Sequence, residues 1–237
     1  MDDLEQFVRR RAPTAQQPLL GMTVLVVEDS RFSCEALRLM CLRSGARIRR
    51  ADSLKSARRH LQYYQPAIAI VDMGLPDGNG ADFIADLASA SPRPSVILGT
   101  SGSDASEGAA LKAGADGFMP KPLGALSVFQ EAVLRHLPPD AQPAGPRALS
   151  TEVMHPDPLA LRDDLAHAVH LLKTGGPDVL VYAAQFLDAL GRSAGDGVVI
   201  QASADLTASH QDRSSRDRSA AQVADVISGR IAQLDAV

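Results

Sequence analysis

The chain of 237 residues is short of cysteine, of long apolar runs and of excess positive charge, and each shortage removes a class of function. Its two cysteines, Cys34 and Cys41, stand seven apart in one helical pattern. They read as core side chains in a reducing cytoplasm rather than as a disulfide framework or a metal pair. No apolar run approaches the roughly 20 residues that span a bilayer, so no membrane partner is expected. The opening Met1-Asp2-Asp3-Leu4-Glu5 is acidic and lacks the apolar stretch of a signal peptide, which fits a soluble cytoplasmic protein. A formal charge of −4 gives no general attraction to nucleic acid or anionic lipid. With 45% hydrophobic residues the chain can still bury a core, and its length suits two domains.

Residues 1–20 read as an N-terminal extension: a short amphipathic piece (Leu4, Phe7, Val8), three arginines, then Pro13 and Pro18. Over residues 21–137, apolar runs of four or five residues alternate with helical patterns of ten to fourteen. That rhythm means βαβ units and a parallel sheet. Strands are expected near 22–27, 46–50, 67–71, 95–99 and 117–119, and helices near 31–44, 53–64, 81–90, 104–113 and 125–137. Gly45 and Gly114 end helices, Asp52 or Ser53 and Asp104 can cap them, and Gly74 to Gly80 is a turn-rich loop. The expectation is an α/β, flavodoxin-like, doubly wound five-stranded parallel sheet. Residues 138–150, rich in proline, form a linker.

Residues 151–237 read as a small all-α bundle of three or four helices. Leu161, Leu165, Ala168 or Val169, and Leu172 make one stripe, and Val179, Ala183, Phe186 and Leu190 make a second after Pro177. Val198, Ala202 and Leu206 suggest a third. Ala220, Ala224, Ile227, Ile231 and Leu234 form a seam that could pair within the chain or across a homodimer. This region carries seven basic residues against twelve acidic ones, a net charge of about −5 that argues against DNA binding. Arg43, Arg47, Arg49, Arg50, Arg58 and Arg59 gather around the second strand and helix, either as a solvated face or as a docking patch for an acidic partner or for the bundle.

Chemistry concentrates where the apolar runs end. Glu28-Asp29 closes the first, Asp72 the third, Thr100 follows the fourth and Lys121 the fifth. Singly, each reads as a turn or a helix cap. On a parallel sheet all of them converge on the carboxyl edge, where open α/β sheets bind ligands. Three carboxylates, a hydroxyl and an ammonium there describe a site for a divalent cation and a phosphoryl group.

The stretches Val26-Val27-Glu28-Asp29-Ser30, Val71-Asp72-Met73-Gly74-Leu75-Pro76-Asp77-Gly78, Leu98-Gly99-Thr100-Ser101-Gly102 and Gly114 to Lys121-Pro122 resemble the receiver domain of two-component response regulators. The resemblance covers residues 22–137, about half of the chain. It implies that Asp72 accepts a phosphoryl group from a phosphohistidine on a sensor histidine kinase or a histidine phosphotransfer protein. It further implies Mg²⁺ (or Mn²⁺) held by Glu28, Asp29, Asp72 and the Gly74 backbone carbonyl, and Thr100 and Lys121 on the phosphoryl oxygens. Phe118 stands where the family carries its switching aromatic; a plain core phenylalanine is the other reading. Gly74 and Gly102, two residues past Asp72 and Thr100, offer no side chain to shield the phosphoryl position, so a long-lived acyl phosphate is not expected. The chain then reads as a signalling switch rather than an enzyme with a small-molecule substrate. His170-Leu171-Leu172-Lys173 also resembles the motif of histidine phosphotransfer domains, which would make the chain a phosphorelay intermediate using His170. Against that, Thr174-Gly175-Gly176-Pro177 breaks the helix at once, and His170 also reads as a solvated residue near a helix C-terminus.

Overall fold

A computed structural model of the chain describes residues 12–103, 105–208 and 213–235. The α/β half contains β1 (Thr23–Val27), α1 (Arg31–Arg43), β2 (Arg47–Ala51), α2 (Leu54–Leu61) and β3 (Ile68–Asp72). A two-residue ribbon follows, β4 (Gly74–Leu75) and β5 (Gly78–Asn79), and then α3 (Gly80–Ser89), β6 (Val96–Ser101), α4 (Ser106–Lys112), β7 (Gly117–Pro120) and α5 (Leu126–Leu134). The main sheet is parallel throughout, in the order β2-β1-β3-β6-β7.

Apolar residues on both faces make this sheet possible. Val24, Val26, Ile68, Ile70, Val96 and Leu98 pack toward α1 and α5. Their strand neighbours Leu25, Val27, Ala69, Val71 and Ile97 pack toward α2, α3 and α4. Successive residues face opposite ways, so runs buried on both sides become central strands. The arginine-bearing β2 takes an edge.

The expected strands and helices all form, with local differences. Ser53 rather than Asp52 caps α2, its side chain accepting from the Ser56 amide. Asp104 and residues 1–11 lie outside the described residues. The turn-rich loop folds back as the antiparallel β4–β5 ribbon. Leu19, expected in an extension, is fully buried in the α1/α5-side core, and its amide donates to the Ser44 carbonyl at 2.8 Å.

Beyond α5 the chain makes a 3₁₀ turn at Pro139–Ala141 and returns along the start of that helix. Val153 bridges Ala125, the Leu126 amide donates to Glu152 at 2.8 Å, and Met154 joins the α/β core. Only past Met154 does the polypeptide cross into a bundle of α6 (Pro158–Thr174), α7 (Pro177–Ala194), α8 (Gly197–Ala208) and α9 (Arg213–Leu234). Pro158 and Pro177 open their helices, and Gly195, at φ +65°, closes α7 in the left-handed region that glycine tolerates. The stripes share one core, although in the third Val199 takes the place expected for Val198, which is exposed, and Ala220, Ala224 and Ile227 of the last seam are spent inside it. Among the described residues, no helix is long and apolar enough to cross a membrane.

Gly80 fixes where β3 ends. A Cβ on it would lie 2.1 Å from the Asp72 carbonyl oxygen, whereas a Cβ on Gly74 would meet nothing within 4 Å. Gly80→Ala should therefore cost about 2 kcal/mol or more through forced backbone displacement. Gly74→Ala should stay within about 0.5 kcal/mol of wild type. Urea unfolding of both variants checks this; equal stabilities would contradict it.

Candidate functional site at the carboxyl edge of the sheet

Register brings the strand-end residues together. Asp72 pairs with Thr100 across β3 and β6, and Thr100 with Met119 across β6 and β7. Lys121, just past β7, therefore reaches back over the edge. Its Nζ lies 2.6 Å from Asp72 Oδ2 and 2.7 Å from Glu28 Oε2, and the Lys121 and Glu28 side chains are each only 1% exposed. Glu28 Oε2 has the Lys121 ammonium, at 2.7 Å, as its partner and keeps spare acceptor capacity on its second lone pair. Asp72 Oδ1 accepts from the Gly74 amide at 3.1 Å, so Gly74 meets the site through its N–H.

The charges do not balance. Carboxylate oxygens of Glu28, Asp29 and Asp72 lie within 4.8 Å of one another, with Lys121 as the ammonium among them. Burial and the neighbouring Asp72 hold Glu28 well above the usual carboxylate range. The same two causes push Asp29 up to about 6, opposed by a hydrogen bond from Tyr182. Burial pulls Lys121 down, but Asp72 and Glu28 outweigh it and raise its pKa. An oxygen-only donor set with surplus negative charge and an underused buried oxygen fits a hard divalent cation.

Thr100 is buried, and its hydroxyl donates to the Met119 carbonyl at 2.8 Å. Phe118 is half-buried and packs against the α2–α4-side core; Gly99 leaves it room, since a Cβ there would stand 3.2 Å from Phe118 Cδ2.

The bundle sits directly on this edge. Asp164 of α6 is buried and accepts three hydrogen bonds from the start of α1: Ser30 Oγ at 2.8 Å, the Arg31 amide at 3.0 Å and the Phe32 amide at 2.9 Å. A helix N-terminus offers unsatisfied N–H groups and a positive dipole end, so a carboxylate from another domain is a good cap. Ser30 Oγ simultaneously accepts from Ser33 N, capping from within. Phe32 joins the bundle core. Arg31 pairs with Asp163 at 2.8 Å, an exposed contact that adds little. Tyr182 of α7 donates its hydroxyl to Asp29 Oδ2.

On one side of that bond lies a cavity of about 1010 Å³ lined by Asp72, Lys121, Ser101, Gln185, Arg192 and Ser203. On the other lies one of about 730 Å³, lined by Asp29, Arg50, Asp163 and His167. Gly102, expected to leave the site open because it has no side chain, is instead covered: α7 crosses it, and a Cβ there would be 3.1 Å from Ala189 Cα. The bundle itself shields that side, whereas Gly74 remains uncovered.

The structure thus brings together Glu28, Asp29, Asp72, Thr100 and Lys121, with Gly74 and Phe118 beside them. His170 is exposed on α6, lines neither of these cavities, and precedes the helix end at Thr174 by one turn. The histidine facing the acidic edge is His167. Asp164 and Tyr182 were not identified from the sequence. Their one local signal is position: each falls on its helix's apolar stripe, Asp164 three residues after Leu161 and Tyr182 three after Val179.

Residues 24–133 match the family model of the response regulator receiver domain. The KDP operon transcriptional regulatory protein KdpE of Escherichia coli K12 is 37% identical over 101 residues, 43% of this chain and 45% of that protein. The transcriptional regulatory protein PhoP of the same strain is 35% identical over 102 residues, 43% of this chain and 46% of its own length. The chain thus spans less than half the length of these curated relatives. A two-component response regulator from Clostridium difficile superimposes with a TM-score of 0.45 at 20% identity, covering 48% of this chain and 94% of that one.

Lys121→Met would leave Glu28 and Asp72 buried without their cation, which typically costs about 3–5 kcal/mol. Lys121 keeps its proton at every pH where the protein can be studied, because its pKa is raised. The pH dependence then comes from the carboxyls. Glu28 takes up its proton at higher pH than usual, so the penalty should be larger at pH 8 than at pH 5, where that proton removes one of the uncompensated charges. Urea unfolding of variant and wild type at both pH values measures it; a penalty that grows toward pH 5 would contradict the electrostatics.

Proposed function

We propose that this chain, built on a response regulator receiver domain at residues 24–133, is a two-component signalling switch. In this reading Asp72 accepts a phosphoryl group from a phosphohistidine of a sensor histidine kinase or histidine phosphotransfer protein. The observation that carries it is Lys121 paired with Asp72 beside Glu28 and Asp29 on one buried strand edge.

A carboxylate is a weak nucleophile toward an anionic phosphoryl group, so the chemistry is mostly positioning and charge stabilisation. Asp72 forms the new O–P bond as the N–P bond of the donor breaks and its electron pair returns to the imidazole. Lys121 turns from Asp72 toward the phosphoryl oxygens as a point charge. Glu28 and Asp29 supply the carboxylates that hold Mg²⁺ or Mn²⁺, which when bound neutralises charge at the phosphoryl group. Thr100 exchanges its bond to Met119 for one to a phosphoryl oxygen, and Phe118, half-buried beside Gly99, turns inward behind it. The chain is then a phosphoacceptor with phosphotransfer chemistry of its own rather than an enzyme turning over a small-molecule substrate, and it works in the cytoplasm.

The bundle is read as a helical protein-interaction module that does not bind DNA. The relatives are named as transcriptional regulators, but the matches cover less than half of each. Residues 151–237 carry seven basic against twelve acidic side chains, the wrong balance for phosphate neutralisation. A relay through His170 has that ring's exposure in its favour, but His170 lines neither of the two cavities at the acidic edge, and the relay is not adopted.

Incubation with phosphoramidate and Mg²⁺, read by intact mass, tests the reading. Wild type should gain one hydroxylamine-labile phosphoryl group, and Asp72→Asn should gain none. An adduct surviving in the variant, or none on wild type, would overturn it.

A further inference from the structure

We infer that the bundle is a lid over the acidic edge, latched by Asp164 and Tyr182, and that its docking competes with a divalent cation for Asp29. The inference deepens the reading above and rests on its assignment of the acidic edge as a cation site.

Contacts from two bundle helices hold the lid in place. Asp164 gives both carboxylate oxygens to the N-terminus of α1, and Phe32, the next residue but one after Ser30, is drawn into the bundle core. Tyr182 reaches the metal-binding edge itself: its hydroxyl occupies Asp29 Oδ2 while the Ser30 amide, at 3.1 Å, occupies Oδ1. With the bundle docked, both oxygens of Asp29 are engaged. Farther along α7, Ala189 packs over Gly102 in the loop after β6. The β1–α1 and β6–α4 loops on either side of Asp72 are therefore both covered. What remains above Asp72 is a partly open space of about 1010 Å³ between the edge and α7/α8. A phosphohistidine carried on a protein helix would meet α7 there, so in this reading the bundle moves to admit it.

A cation needs an Asp29 oxygen that the docked tyrosine holds, so each disfavours the other. The coupling is reciprocal: docking weakens the cation by the same factor as the cation weakens docking. Asp164 bonds Ser30, Arg31 and Phe32 rather than the acidic-edge carboxylates, and meets those only through Ser30, whose amide stands 3.1 Å from Asp29 Oδ1.

Free-ion electron paramagnetic resonance measures Mn²⁺ affinity of the full chain for wild type, Tyr182→Phe, Asp164→Ala and Asp29→Asn, with circular dichroism confirming the fold. Tyr182→Phe and Asp164→Ala should each tighten Mn²⁺ roughly tenfold, within the usual range of coupling between two sites. Saturating Mn²⁺ should increase the radius of gyration of wild type in solution scattering. Should Asp164→Ala fail to fold, Tyr182→Phe, which deletes one hydroxyl, still decides the matter. Unchanged or weaker Mn²⁺ binding by the latch variants, with Asp29→Asn abolishing binding, would overturn the lid and leave the cation site standing. Unaltered binding by Asp29→Asn would overturn both.

Discussion

A single ammonium group lets this protein bury Glu28 and Asp72 together on one strand edge, beside the half-buried Asp29. Lys121 Nζ, within 2.7 Å of both Asp72 and Glu28, supplies the charge without which burying Glu28 and Asp72 together would be prohibitive. The sheet exists in the form that permits this: β3 and β6 place Asp72 opposite Thr100, and β7 delivers Lys121 one residue beyond its end. One positive charge does not match three carboxylates, and the remaining imbalance suits the edge to the cation and phosphoryl group of the proposed function. Stability and chemistry therefore share one set of atoms.

The same imbalance explains why a second domain rests there. The N-terminus of α1 presents free N–H groups beside the acidic edge, and Asp164 from α6 satisfies three donors at once. Tyr182, a donor, is matched to Asp29, an acceptor short of partners. The bundle uses complementary polar groups, backed by Phe32 in its core, rather than its net charge against the arginines around β2. Of those arginines, Arg58 pairs with Asp86 within the α/β half, and Arg43 pairs with Glu152 on the returning strand.

Much of this was legible in the sequence, and what was not has physical reasons. Val24 to Val27 and Ile68 to Val71 announce doubly buried strands, and the polar residues ending them announce the site, because strand ends on a parallel sheet converge whatever the tertiary details. The helical stripes of residues 161–172 and 179–190 likewise gave the bundle core. The docking was not legible: Ser30 and Asp164 are 134 positions apart, and Asp29 and Tyr182 are 153 apart. No local periodicity encodes a contact between two finished domains. Its trace is an aspartate placed on an apolar stripe, where a buried charge requires a partner. Leu19 failed for a similar reason, since a Leu19-Leu20 pair after Pro18 carries no period, and only the α1-side core and the Ser44 carbonyl give it a place.

The central claim is that occupation of Asp72 and the position of the bundle are one equilibrium. Amide hydrogen exchange on the full chain, with and without Mg²⁺ and beryllofluoride, addresses it most directly. The account expects the start of α1 at Arg31 and Phe32, the turn of α6 around Asp164 and the turn of α7 around Tyr182 to lose protection together when the site is filled. Protection unchanged at all three segments, with the Asp72 loop itself responding, would contradict it.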